Sequence, residues 1–259
     1  MKSPNNNQPG NPAFKDHFSS ASDTYASARP GYPDSLFAYL SSVCEQHDMA
    51  WDCATGSGQA AVKLAAHFKS VIASDASAQQ IRHAQYHPSV DYIVTSAEQS
   101  AIADNSIDLA TIAQALHWFA LPAFSKEVHR TLKVGGVLAA WTYNLLTINP
   151  QLDALINHLY STLLGPYWPA ERRLVEEGYQ SINFPYPELT CPDFQMELNW
   201  NAGQLLDYLS TWSAVKTCVA SHQPDPLQEI KGSLLELWGD PTQYKCIEWP
   251  LAVRVWQKG

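Results

Sequence analysis

The stretch Trp51-Asp52-Cys53-Ala54-Thr55-Gly56-Ser57-Gly58-Gln59-Ala60-Ala61 decides how the whole chain is read. It starts as a short apolar run, turns on two glycines and continues into Val62-Lys63-Leu64-Ala65-Ala66-His67-Phe68, which has helical apolar spacing. A strand that passes through a glycine turn into a helix gathers free backbone N–H groups at one point. Gly56 and Gly58 let the backbone adopt left-handed conformations and come close to a ligand. Such a turn is suited to cradle a nucleotide-like ligand when its surroundings agree.

Outward from this turn the chain alternates short apolar strands with helices. Strands are expected at Met49–Cys53, Ser70–Ser74, Val90–Thr95, Ser106–Ala113 and Val137–Tyr143. Helices are expected from Asp34 to about Gln46, on to Phe68, from Ala76 to about Tyr86, and over Leu121–Leu132. This alternation means a parallel sheet covered on both faces, with the strand C-terminal ends on one edge. Asp75 stands at the end of the second strand, on that edge. The pattern breaks near Leu145, and residues 145–192 carry helix-like pieces (Leu152–Leu164, Glu171–Gly178) with many prolines and aromatics. They read as an inserted lid or substrate subdomain. Phe194–Trp200 then reads as a strand, Ala202–Trp212 and Pro226–Trp238 as helices, and Tyr244–Trp256 as a closing strand. The fold class expected is α/β: a Rossmann-like, seven-stranded, mostly parallel sheet with helices on both faces and an antiparallel last strand. Residues 13–144 and 193–259 make its main domain, and residues 1–12, rich in Asn, Pro and Gly, read as disordered.

Composition narrows the function. The net charge of −9, from 16 basic and 25 acidic residues, argues against a nucleic-acid surface. The N-terminus has no apolar signal core and no run reaches the ~18 residues of a membrane span, so a cytoplasmic protein is expected. The five cysteines are scattered, which points to free thiols, and no metal is expected. His83 and His87 stand four apart on an expected helix but lack a third ligand nearby.

Gly56-Ser57-Gly58-Gln59-Ala60-Ala61 satisfies G-x-G-x-x-A, which on its own also admits a nicotinamide-dependent oxidoreductase. Further motifs separate the readings: Asp52-x-x-Thr55-Gly56-Ser57-Gly58-Gln59, Asp75-x-Ser77-x-x-Gln80, Ser96-Ala97-Glu98, Gln114-Ala115-Leu116-His117-Trp118-Phe119 and Leu132-Lys133-Val134-Gly135-Gly136. Upstream stands Tyr25-x-x-x-Arg29-Pro30-x-Tyr32-Pro33. In this order the chain resembles the class I S-adenosyl-L-methionine-dependent methyltransferases of type 11, and within them the trans-aconitate-methyltransferase-like small-molecule enzymes. The resemblance covers most of residues 14–143 and, more loosely, the tail from 193.

The resemblance implies S-adenosyl-L-methionine as cofactor, S-adenosyl-L-homocysteine as product and a small-molecule acceptor, methylated on a carboxylic acid or hydroxyl oxygen. It implies a monomer or homodimer that engages neither nucleic acid nor membrane. Asp52, Ala54, Gly56 and Gly58 would face the methionyl group, with Tyr25 and Arg29 closing over it. Asp75 and Ala76 would meet the ribose, Gln80 and Ser96, Ala97 and Glu98 the adenine, and Gln114 and Ala115 the methionine portion. Ala54 departs from the pattern, replacing a usual glycine. His117 is the expected catalytic residue, able to orient an acceptor oxygen or take its proton. Trp118, Tyr143 and Arg172 are expected at the acceptor, the last as half of an Arg172-Arg173 carboxylate clamp. Purely structural alternatives stand beside these: Asp75 as a helix cap, Glu98 at a helix start, Trp118 as core, and the arginine pair on a solvated face.

Overall fold

Ile107-Asp108-Leu109-Ala110-Thr111-Ile112 is buried at every residue, as a strand must be when helices cover both faces of its sheet. The computed structural model describes residues 30–259. The expectations for residues 1–12, Tyr25 and Arg29 therefore fall outside the described residues. After helix α1 (Asp34–Ser42) come β1 (Met49–Cys53), α2 (Gln59–Leu64), β2 (Ser70–Asp75), α3 (Ala78–Arg82), β3 (Val90–Val94), β4 (Ile107–Ala113), α4 (Leu121–Thr131) and β5 (Leu132–Tyr143). The second half adds α5 (Pro150–His158), continued by a π-helical turn at Leu159–Leu163, and α6 (Arg172–Glu176). It closes with β6 (Glu188–Leu189), β7 (Phe194–Trp200), α7 (Ala202–Ser210), α8 (Ser213–Ala220), α9 (Pro226–Trp238) and β8 (Lys245–Gln257).

The sheet runs β3-β2-β1-β4-β5-β8-β6, with β7 also paired to β8. The first five strands pair in parallel, and β8 runs antiparallel to β5. The expected seven strands become eight, because the thirteen-residue β8 is long enough to hold two partners end to end on one edge. Met196 and its neighbours in β7 pair over Lys245–Leu251, and β6 pairs at Val255 and Trp256. Strand order reverses between β1 and β4, which opens a crevice beyond their C-terminal ends.

Alternating residues of β5 face opposite layers. Ala139 and Trp141 join a core with α1, α2, α5, α7 and α9, built around Phe37, Leu64, Ile156, Leu205 and Leu234. Leu138 and Ala140 face Trp51, Phe124 and Val128, with Tyr179 and Phe184 on the same side. The helices of 150–164 and those of 202–238 thus share one apolar layer.

Three local differences from the sequence reading have simple causes. Strand β5 begins at Leu132, not Val137, because Leu132 already pairs with Ile107 before a register shift at Leu109. Helix α3 buries none of its residues and stops at Arg82, so His83 is its C-cap and does not share a helix face with His87. Helix α8 was not expected, since its N-cap Trp212 makes no side-chain cap.

Candidate active site

At the crevice, β1 runs into a turn with three left-handed residues: Ala54 (φ 58°), Gly56 (57°) and Gly58 (83°). Among the described residues a Cβ on Gly56 would meet nothing within 4 Å, so these residues leave space beside this backbone. A Cβ on Gly58 would stand 2.2 Å from the Tyr92 hydroxyl. Asp52 is buried beneath the turn, accepting from Thr55 Oγ1 at 2.5 Å and Thr111 Oγ1 at 2.9 Å. Burial dominates those two donors and pushes its carboxyl up to about 6. Open room along a left-handed turn, with one carboxylate below and another, Asp75, at its rim, suits a cationic amino-acid head joined to a ribose.

Asp75 Oδ2 accepts from the Gly56 N–H at 2.9 Å and Oδ1 from the Ser77 N–H at 2.8 Å, tying the end of β2 to the turn. Ser77 caps α3 through the Gln80 N–H, so Asp75 sits before the cap. Ala76 is exposed and Gln80 half-buried on the same rim. The Thr95 N–H bonds to Asp75 O, which sets Ser96, Ala97 and Glu98 beyond the ends of β2 and β3. Ala97 is buried, whereas Glu98 Oε1 accepts the Ala120 N–H at 3.0 Å just before α4. Gln114 (φ 56°) bridges β4 to β5, donating to Tyr143 O at 3.0 Å and accepting from Thr142 Oγ1. Ala115 is buried beside it. All the expected cofactor residues within the described chain therefore lie along one edge.

A cleft open to solvent adjoins that edge. Gln114, His117, Trp118, Tyr143 and Arg172 all line it. These residues are separated in sequence by up to 58 positions, and the structure brings them together. Trp118 keeps 36% exposure, so it is a wall and not core. Arg172 Nη2 donates to Asn144 Oδ1 at 2.6 Å and Nε to the Tyr160 hydroxyl at 2.8 Å. Its guanidinium also lies 4.9 Å from the Trp168 ring centroid. The Tyr160 hydroxyl in turn donates a hydrogen bond to Glu176, which links Arg172 to a carboxylate. Arg173 faces the other way and pairs with Glu177 on an exposed surface, so the two arginines do not act as one clamp.

His117 occupies a 3-10 turn (Leu116–Trp118) after β4, with Nδ1 3.0 Å from the Tyr179 hydroxyl. Burial, and secondarily the Arg172 cation, lower its imidazole to about 4, leaving it neutral at pH 7. The sequence reading missed half of the cleft. Asn144, Trp168, Tyr208, Thr211, Trp212 and Lys216 line it as well, and the last four come from helices α7 and α8 and the two-residue link between them. Their only sequence signal is aromatic density, which core packing produces equally well.

Comparison with known proteins follows the same outline. A family model described as a methyltransferase domain matches residues 51–140. A candidate methyltransferase of Dictyostelium discoideum is 36% identical over 229 residues, 87% of each chain. A solved structure of a candidate type II methyltransferase from Anaeromyxobacter dehalogenans is 42% identical with a TM-score of 0.84, covering 88% of this chain and 97% of its own. The ubiquinone/menaquinone biosynthesis C-methyltransferase of Rubrivivax gelatinosus is 36% identical over 121 residues, 40% of this chain and 48% of its own.

Proposed function

The chain belongs to the class I S-adenosyl-L-methionine-dependent methyltransferases, and from that premise we propose that it methylates an oxygen of a small carboxylic acid held in the cleft beside strands β4 and β5. Membership sets aside the nicotinamide reading of the glycine turn. One observation carries the choice of acceptor: among the described residues, Arg172 is a half-buried cation that has no direct ion pair and reaches a carboxylate through Tyr160. A desolvated guanidinium is costly until an anion meets it, and a carboxylate fits its fork with two parallel hydrogen bonds. Lys216 adds a second cation at the same cleft, in a chain whose net charge is −9. The walls of Trp118, Trp168 and Trp212 suit an apolar or planar body behind the acid group.

Bound S-adenosyl-L-methionine supplies an activated methyl group on a cationic sulfur. Asp52 would face its ammonium, Asp75 and Ala76 its ribose, and the turn at Gly56 and Gly58 its methionyl end. Ala54 would border the same head group, and the family resemblance suggests Tyr25 and Arg29, which lie outside the described residues, for closing over it. Gln80 and Ser96 to Glu98 would border the adenine, and Gln114 and Ala115 the methionyl chain. Arg172 and His117 then hold the acceptor oxygen in line. A carboxylate is already a nucleophile, so positioning and exclusion of water supply the acceleration. Residues 145–192 act as the substrate subdomain of a cytoplasmic enzyme, a monomer or homodimer.

The test is transfer of labelled methyl groups from S-adenosyl-L-methionine to panels of small carboxylic acids, phenols and amines. Base-labile methyl esters are expected. Arg172→Gln should raise the acceptor KM ten- to a hundredfold, the loss of a charge-assisted hydrogen bond, with a smaller effect on kcat. Label confined to phenols or amines would overturn the acceptor class. Binding of S-adenosyl-L-homocysteine with no transfer to any acceptor would make the protein a cofactor-binding module.

A further inference from the structure

Tyr179 is a fully buried tyrosine that the sequence does not single out, and the fold goes to unusual lengths to place it. Its backbone is left-handed (φ 61°), directly after left-handed Gly178 (φ 59°). A bulky side chain tolerates that region only when its surroundings compel it. They do so here from three sides. A Cβ on Gly178 would approach the Ala252 Cβ to 2.8 Å, so the chain passes tightly against β8. Arg254 Nη1, from β8, donates to Tyr179 O at 2.6 Å and to Ile182 O, closing the turn. The same arginine is anchored through Nε and Nη2 to both Glu188 oxygens, at 2.8 and 2.6 Å. The result is a phenol whose hydroxyl stands 3.0 Å from Nδ1 of His117.

The proton on that hydrogen bond determines what His117 can do. A phenol O–H is a better donor than a neutral imidazole N–H, and an imidazole nitrogen a better acceptor than a phenol oxygen. Among the described residues the one hydrogen bond of the Tyr179 hydroxyl is to this ring nitrogen, so with the proton on Nδ1 the buried phenol would have no acceptor for its own hydrogen. The ring nitrogen that bears hydrogen is set by the bond the other one makes.

We infer that Tyr179 donates to Nδ1 of His117 and thereby fixes the imidazole as an Nε2–H donor toward the cleft, which removes His117 as a general base. This rests on the reading of the cleft as the acceptor site. Nε2 has no partner among the described residues, and His117 lines the cleft. With Arg172 it gives the acceptor two hydrogen-bond donors and no proton acceptor. Tyr179 is then a positioning residue, and an acceptor must enter already ionised. A hydroxyl acceptor, which has to lose its proton during transfer, is disfavoured by the same arrangement.

The test is independent of any acceptor. Two-bond proton–nitrogen correlation spectra of the full-length labelled chain at pH 7 resolve the tautomers of its nine histidines, with His117→Gln used to assign the signal. His117 is expected as the Nε2–H tautomer by at least about tenfold, the weight of one buried hydrogen bond. Tyr179→Phe should shift the ring toward a mixture of tautomers while the chain stays folded. An Nδ1–H signal in the unsubstituted protein overturns the inference, as does an unchanged tautomer in folded Tyr179→Phe. The wild-type spectrum decides the matter even if Tyr179→Phe does not fold. Neither result bears on whether methyl transfer occurs, so failure here and failure of the proposed function are told apart.

Discussion

Gly56 and Gly58 are two residues apart and both left-handed, yet their replacement by alanine should do opposite things. At Gly58 an alanine Cβ would stand 2.2 Å from Tyr92 Oη, 3.1 Å from Cζ and 3.2 Å from Cε1. Tyr92 must swing away, losing its 2.6 Å bond to Gln85 O, worth about 1 kcal/mol. The left-handed backbone of an alanine at φ 83° costs about 1–2 kcal/mol more. The sum, about 2–3 kcal/mol, lowers Tm by roughly 5–10 °C in a chain of this size. At Gly56 the Cβ meets nothing within 4 Å among the described residues, so with respect to these only the backbone cost applies. The space it enters, however, is where a ligand's head group would lie, so binding should fall much more than stability. The assay pairs a thermal melt with calorimetric titration of S-adenosyl-L-homocysteine for both variants. Gly58→Ala with Tyr92→Phe should recover part of the lost stability, since the nearest clashing atom is gone. If Gly56→Ala melts as low as Gly58→Ala and binds normally, the open space beside Gly56 is not a ligand cradle.

Ala54 already occupies φ 58°, so Ala54→Gly exchanges backbone strain for unfolded-state entropy and should move stability by less than about 1 kcal/mol. Lys258 is buried, with Nζ donating to His129 O and Leu132 O at 2.7 Å, the C-terminal end of α4. Lys258→Met leaves those carbonyls unsatisfied and should cost about 2–3 kcal/mol in denaturant titration. Asp52 and His117 tilt stability with pH in opposite senses. Asp52 is raised from 3.8 to about 6, so its cost is present above pH 6 and relieved as pH falls toward 3.8. His117 is lowered from 6.5 to about 4, so its contribution is present above 6.5 and lost as pH falls toward 4. Each is worth roughly 3 kcal/mol across its window. Relative to the unsubstituted chain, His117→Gln should gain stability between pH 6.5 and 4, and Asp52→Asn should lose its advantage there. Equal pH slopes for all three proteins would refute both assignments.

The parts of the fold that were legible share one property: their sequence signal is local. β1, β7 and α9 fall on their expected residues because period, length and flanking turns all agree within each segment. Elsewhere a partner decides. Leu132 becomes strand because Ile107 is there to pair with it, and no local pattern announces that. Helix α6 is only five residues long, and Arg172 points inward while Arg173 points outward. A doublet in sequence is therefore no guide to a doublet in space. The left-handed backbone at Tyr179 is equally invisible, since it is imposed by Arg254, 75 positions downstream.

The same division runs through the site. The cofactor edge follows one contiguous plan, strand then turn then acidic residue, repeated along parallel strands whose ends must coincide. Such a site can be read in order from a sequence. The acceptor cleft obeys no such rule, being closed by side chains from the β4 and β5 ends, the 160–172 segment and helices α7 and α8. Its chemistry depends on which of many aromatics and cations face inward, and only packing settles that. Arg172 and His117 were nominated for their chemical type, and a type alone left His117 able to orient an acceptor oxygen or to take its proton. The inferred bond from Tyr179 would keep only the orienting role, because a histidine's role is set by what holds its far nitrogen. On the proposed reading, specificity would be set by the residues that aim His117 and Arg172, and these come from the segments least constrained by the strand–turn–helix plan.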